Sequence, residues 1–205
     1  MWMCQHPLVE EELKVGRKPD PNNSREAILE AARRAAQSRG YAGLNFRELA
    51  DEVGVKHASL YYHFETKGDL AAAVARRYWE NTAAGLEAMV AESPSPDEAL
   101  RRYPDIFRKS LQDANRMCLA SFMSAEYDDL PETVKTEVQR FADVNVAWLT
   151  KTLVATGLAQ DVSEQRAQAI YAAVAGAQLV ARSRSDIALF DALMDGYRSV
   201  GLLPA

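Results

Sequence analysis

Cysteine is scarce in this chain: Cys4 and Cys118 are the only two in 205 residues. That is too few for a disulfide framework, and the spacing does not suit zinc, so a reducing, cytoplasmic setting is expected. The three histidines, His6, His57 and His63, form no ligand pattern with the acids, and no metal or other cofactor is expected. Long apolar runs are missing as well. Ala169 to Ala181 is the longest weakly polar stretch and falls short of the roughly 20 residues a spanning helix needs. Residues 1 to 13 lack the basic start and apolar segment of a signal peptide, so a soluble protein with no membrane partner is expected. The β-branched alternation of strands does not stand out, which points to an all-α fold. No nucleophile, base and orienting group fall at plausible spacing, so the chain is not read as an enzyme.

Net positive charge is lacking too, the formal balance being −5. The distribution says more than the sum. Residues 14 to 64 hold nine Lys/Arg against six Asp/Glu, whereas residues 65 to 205 hold fifteen against twenty. A small basic head on an acidic body fits local contact with nucleic acid and argues against a basic coat over the whole surface.

What is present centres on Asn45 to Lys67. Asn45 is a good N-cap, with Glu48 placed to reach back to its amide, so a helix starts at Phe46. Gly54 can take the left-handed conformation that stops it, and Val55 fills the angle to a second helix over about 57–64. At roughly 100° per residue, Leu60 and Phe64 face inward with Phe46, Leu49 and Val53, and Ala58, Ser59, Tyr61 and Tyr62 face away. Lys56 and His57 open this short helix, and its small outward residues allow close approach to a DNA major groove. Tyr61, Tyr62 and His63 can hydrogen-bond phosphates, and Tyr62 or His57 can meet base edges. Arg47 can reach guanine or phosphate, and Lys67 can clamp phosphate.

The run Gly40-Tyr41, Phe46-Arg47-Glu48-Leu49-Ala50, Gly54-Val55, Leu60-Tyr61-Tyr62-His63-Phe64 and Lys67 closely resembles the N-terminal domain of tetracycline-repressor-like transcriptional regulators, over about residues 24 to 70. The resemblance implies DNA contacts at Arg47, Lys56, His57, Ala58, Ser59, Tyr61, Tyr62, His63 and Lys67. Leu44 stands where a hydroxyl residue is usual, Lys56 where serine is frequent and Ala58 where glycine is frequent, departures that bear on operator sequence. The fold implied is an N-terminal three-helix helix-turn-helix head and a helical ligand-binding and dimerisation body, about nine helices in all. Residues 1–21 are read as a flexible tail, whose Gly16-Arg17-Lys18-Pro19 could serve as a minor-groove arm; 22–66 form the head and 67–205 the body.

Asn23 and Glu26 are expected to cap a first helix over 24–39 that buries Ala27, Ile28, Ala31 and Ala35. Thr66 and Asp69 cap a long helix to about residue 91, belonging to both head and body. Ser95-Pro96-Asp97-Glu98 opens a helix to about residue 113, bent at Pro104. Helices over about 116–126 and 129–156 follow. The last two helices, about 164–182 and 186–200, carry small and apolar residues suited to a homodimer interface, as in the family. Tyr103, Phe107, Met117, Phe122, Met123, Phe141, Trp148 and Tyr171 lie on helices that the family packs around a cavity for a small, mostly apolar inducer, with Asn145 or Gln178 to orient it. The expected function is a ligand-responsive repressor on operator DNA. Two alternatives stand beside it: a ligand-independent DNA-binding structural protein, and a redox or electrophile sensor acting through Cys118, which is better read as a buried small hydrophobe.

Overall fold

The computed structural model describes residues 21–205, and the tail with its basic cluster lies outside the described residues. The described chain is all-α. The head comprises α1 (Pro21–Arg39), a 3-10 turn (Tyr41–Gly43), α2 (Phe46–Val53) and α3 (His57–His63). The body comprises α4 (Lys67–Glu92), α5 (Pro96–Arg102), α6 (Asp105–Gln112), α7 (Leu119–Ala125), a 3-10 turn (Tyr127–Asp129), α8 (Glu132–Ala155), α9 (Gln160–Ser183) and α10 (Ile187–Ser199).

Local chemistry accounts for most of the boundaries. The Asn45 side chain accepts from the amides of Arg47 and Glu48, at 2.9 and 3.2 Å. Gly54 stops α2 at φ 74° and ψ 31°, and the Val55 amide returns to Ala50 O. Thr66 and Asp69 form a reciprocal capping box at the start of α4. Three expectations need correction. Helix α1 begins at Pro21, where proline presets φ for the first turn, so Asn23 lies inside the helix and Glu26 instead takes Arg77. Glu48 bonds Arg39, leaving Asn45 to cap α2 alone. Pro104 interrupts the helix expected over 96–113, because it has no amide to continue the ladder. Two helices, α5 and α6, result, and ten α-helices are seen among the described residues.

Two clusters of buried side chains hold these elements. The first joins Ile28, Leu29, Ala31, Ala32, Ala35 and Ala36 of α1 to Phe46, Leu49, Leu60 and Phe64, whereas Ala27 is exposed. Leu70 and Val74 of α4, Leu119 and Met123 of α7 and Val134 and Val138 of α8 belong to this same cluster, so the head is packed directly onto the body. The second cluster draws on the far half of α4, on α5 and α6, on the rest of α8, and on α9 and α10. Helix α4 thus enters both clusters.

Candidate functional site

The outer face of the head is built by α2 and α3. Leu60 and Phe64 are buried, and that fixes which sides of α3 point outward. Tyr62 is 79% exposed and Tyr61 55% exposed. Tyr61 is held by the Phe46 ring at 4.9 Å and by His57 edge-on at 5.2 Å. Lys56, His57 and Ala58 are exposed and Ser59 is half-buried. Arg47, His57, Tyr61 and Lys67 border one recess of this face, and Lys56, Ser59, Tyr62 and His63 border a second, of about 420 Å³. His63 is the one expected contact that turns inward: it is half-buried, and its Nε2 lies 3.1 Å from Ser24 Oγ.

Charge pairing separates this face from the rest of the head. Between residues 24 and 67, Arg25 pairs with Glu26, Arg33 with Glu30, Arg34 with Glu30 and Glu52, and Arg39 with Glu48. Among the described residues Arg47, Lys56 and Lys67 have no carboxylate partner, and Lys67 Nζ sits 4.3 Å from the Tyr41 ring centroid. The three cations left to meet an external anion all border the α2–α3 face. A cluster of unneutralised cations beside exposed tyrosines is the chemistry of phosphate contact.

In the body, Tyr103, Phe107, Phe141, Trp148 and Tyr171 meet ring to ring. Tyr103 stacks on Trp148 at 5.7 Å and 18°, and Phe107 contacts Phe141 at 6.5 Å and Tyr171 at 6.4 Å. Asn145, fully buried, accepts from Tyr103 Oη at 3.0 Å and donates to Phe141 O at 2.7 Å. Burial pushes the Tyr103 and Tyr171 phenols well above their ordinary range. Of the side chains expected to line a cavity, Met117, Phe122 and Met123 stand apart from this group. Met123 packs in the first cluster, and half-buried Phe122 lies under Arg182 at 5.0 Å. The remainder form a packed aromatic core, of which Trp148 also borders an opening between α4 and α8. Cys118 is 1% exposed, and burial pushes its thiol up, so the alternative of a reactive cysteine gains no support.

Three sets of polar contacts escape sequence reasoning, and two of them join head to body. Gln37 of α1, 1% exposed, donates to Met117 O at 3.0 Å. The amide of the same peptide unit, Cys118 N, donates to Gln178 Oε1 of α9 at 3.0 Å, and Gln178 Nε2 donates to Phe107 O at 2.7 Å. One peptide group therefore ties α1 to α9. Glu126, after α7, accepts the Tyr41 amide at 2.6 Å and lies against Gly40, whose φ of 67° favours glycine. Glu137 of α8 accepts from Trp79 Nε1 at 2.8 Å and pairs with Arg76, pinning α4 to α8. A glutamine inside an alanine-rich stripe was the only signal available for Gln178; none marked Glu126.

The α9–α10 side of the molecule is open. Leu179 and Val180 are 53% and 45% exposed, and Ala172, Gly176, Ala188, Ala192 and Gly196 are exposed beside them. A Cβ built on Gly176 or Gly196 would meet nothing within 4 Å, so packing within the chain does not call for glycine there.

Residues 28–74 match the family model described as bacterial regulatory proteins, tetR family. The HTH-type transcriptional repressor AcnR of Corynebacterium glutamicum is 38% identical over 64 residues, covering 31% of this chain and 34% of that protein, so the match spans about a third of the curated relative's length. The crystal structure of a TetR transcriptional regulator from Legionella pneumophila has a TM-score of 0.82 and 27% identity, covering 87% of this chain and 97% of that one. A TetR-family regulator from Agrobacterium tumefaciens gives a TM-score of 0.81 and 28% identity, covering 88% and 98%.

Proposed function

We propose that this chain, a member of the tetR family of bacterial regulatory proteins, is a homodimeric, ligand-responsive repressor that binds operator DNA through the outer face of α2 and α3. The observation that carries the reading is the set of unpaired head cations. Arg47, Lys56 and Lys67 border the same face as Tyr61 and Tyr62, while the other head arginines are neutralised within the protein. Arg47 and Lys67 anchor phosphates, and Tyr62, His57 and the small residues Ala58 and Ser59 lie against base edges. His63 acts from behind, holding α3 to α1 through Ser24.

Two heads must sit about 34–36 Å apart to read successive half-sites, which a two-fold dimer provides. The exposed apolar strip of α9 and α10, with glycines that leave room for another backbone, supports a four-helix interface between two copies. Ligand response is supported by the way the body grips the head. The peptide between Met117 and Cys118, the Glu126–Tyr41 bond and helix α4 each tie head to body, so displacement of α4 or α9 re-aims α3. An inducer that prefers the misaligned arrangement by about 2.7 kcal/mol lowers operator affinity about 100-fold.

The test is a fluorescence anisotropy titration against DNA from immediately upstream of the gene, beside a scrambled duplex at one near-physiological salt concentration. Sequence-dependent nanomolar binding with two subunits per site is expected. Replacing Lys67 or Tyr62 by Ala should weaken it more than about tenfold with helix content unchanged, and Arg47→Ala should also reduce the salt slope by about 1. Unchanged binding in all three variants would overturn the assignment of this face.

A further inference from the structure

Lys67, at the first position of α4, is half-buried, and its Nζ rests 4.3 Å from the centre of the Tyr41 ring. A lysine stem is long and flexible, so its ammonium meets a phosphate best when something fixes it beforehand. A ring face within about 6 Å does this by cation–π attraction. The Tyr41 ring needs a fixed place in its turn. Tyr41 opens the short 3-10 turn after α1, where Gly43 N returns to Gly40 O and Leu44 N to Tyr41 O. Its own amide goes outside the turn, to Glu126 Oε2 at 2.6 Å. Gly40 makes that approach possible, since a Cβ there would overlap the Glu126 carboxylate. Glu126 directly follows α7, with its amide bonded to Met123 O, and Leu130 of the same loop is buried in the first cluster. Pro131 closes the loop against Gly68, where a Cβ would come within 3.3 Å of the proline ring. The loop between α7 and α8 thus meets both the residue whose ring seats Lys67 and the residue that follows Lys67.

We propose that Glu126 is a positioning residue for DNA binding: by fixing Tyr41 it holds the Lys67 ammonium in place for a backbone phosphate. Lys67 borders the outer face of the head together with Arg47, His57 and Tyr61, so an ammonium held there is set where a DNA strand arrives. The bond from the Tyr41 amide to a carboxylate is charge-assisted and therefore strong enough to hold the turn. The inference rests on the DNA-binding reading and adds to it a residue outside the head, which acts on the phosphate contact only through Tyr41 and Lys67. Because Glu126 is carried on the loop between α7 and α8, the body reaches that contact without tilting α3 or α4.

The readout is the affinity of the full chain for a duplex of arbitrary sequence at low salt, because phosphate contacts act on any sequence. Glu126→Ala should weaken binding about fivefold, and Glu126→Gln, whose amide oxygen still accepts from Tyr41 N, should stay within about twofold of the natural chain. Were the carboxylate only a negative charge near the phosphates, both variants would bind more tightly. Were it only a support for the fold, Glu126→Ala would lower the urea midpoint and leave the affinity of the folded chain unchanged. Tyr41→Leu, which keeps an apolar side chain in the turn, should match Glu126→Ala. A double-mutant cycle then follows the route: added to Lys67→Ala, Glu126→Ala should cost nothing further, whereas with Lys56→Ala, at the other recess, the two losses should multiply. Unchanged or tighter binding in Glu126→Ala, equal losses in the Ala and Gln variants, or a loss that multiplies with Lys67→Ala would overturn the proposal and leave DNA binding in place. A natural chain that binds no duplex, or binds as well without Lys67, overturns the reading of the outer face and this inference together.

Discussion

Gln178 and Cys118 show how much depends on single buried groups in the body. Gln178 uses both ends of its amide, accepting from Cys118 N and donating to Phe107 O, in a place closed to water. Gln178→Leu leaves that amide and that carbonyl unpaired and should destabilise the fold by about 3 kcal/mol, read as a lower urea midpoint with the slope unchanged. Cys118 is covered and its thiol is pushed up by burial, so thiolate is scarce at neutral pH. Iodoacetamide should label the native protein at Cys118 at least about a hundredfold more slowly than the urea-unfolded chain; equal rates would show that the site opens freely. Cys4 is replaced by Ser for this measurement.

At the scale of the element, α4 is the helix that packs in both the head cluster and the body cluster. Its capping box sets the start beside the outer α2–α3 face, its first half packs against α1, and Glu137 holds its middle to α8. Burial pushes the Glu137 carboxyl up, but the hydrogen bonds from Arg76 and Trp79 outweigh it and keep the group below its ordinary value of 4.5. A depressed folded value gives stability that is present above 4.5 and lost as pH falls through the folded value. Glu137→Gln should therefore be less stable than the natural chain at neutral pH, and the gap should narrow as pH drops below 4.5, as measured by urea melts at several pH values. A gap that stays constant with pH would show that the carboxylate charge is not what joins the two helices.

For the whole molecule the proposed dimer must hold two heads at a fixed separation. Ala175 and Leu193 are half-buried against the body core, so a charge there would disturb folding together with assembly. Leu179, exposed in the middle of the open α9 face, is the cleaner position. Leu179→Asp should convert the dimer to monomer in sedimentation at micromolar concentration with helix content preserved. Operator affinity should fall by about 100-fold or more, because the second head no longer binds as a tethered partner. A variant that still sediments as a dimer would place the interface elsewhere.

Sequence alone determined the head, because a helix-turn-helix is written in local chemistry. Asn45 caps, Gly54 accepts a positive φ, and the inward period of Leu60 and Phe64 leaves Tyr61 and Tyr62 outside; each feature acts within a few residues of itself. The all-α class and most helix boundaries were legible for the same reason, whereas the break at Pro104 turned on whether the ladder bends or parts. Only the tertiary structure decided which partners distant polar groups find: that His63 turns to Ser24, that Glu48 serves Arg39, and that one peptide group joins Gln37 to Gln178. It alone also separated Met123 and Phe122 from the aromatic group and left the Trp148 indole unpaired. These contacts join residues up to 80 positions apart, and a hydrogen bond within about 3 Å depends on how whole helices pack, which no local pattern encodes.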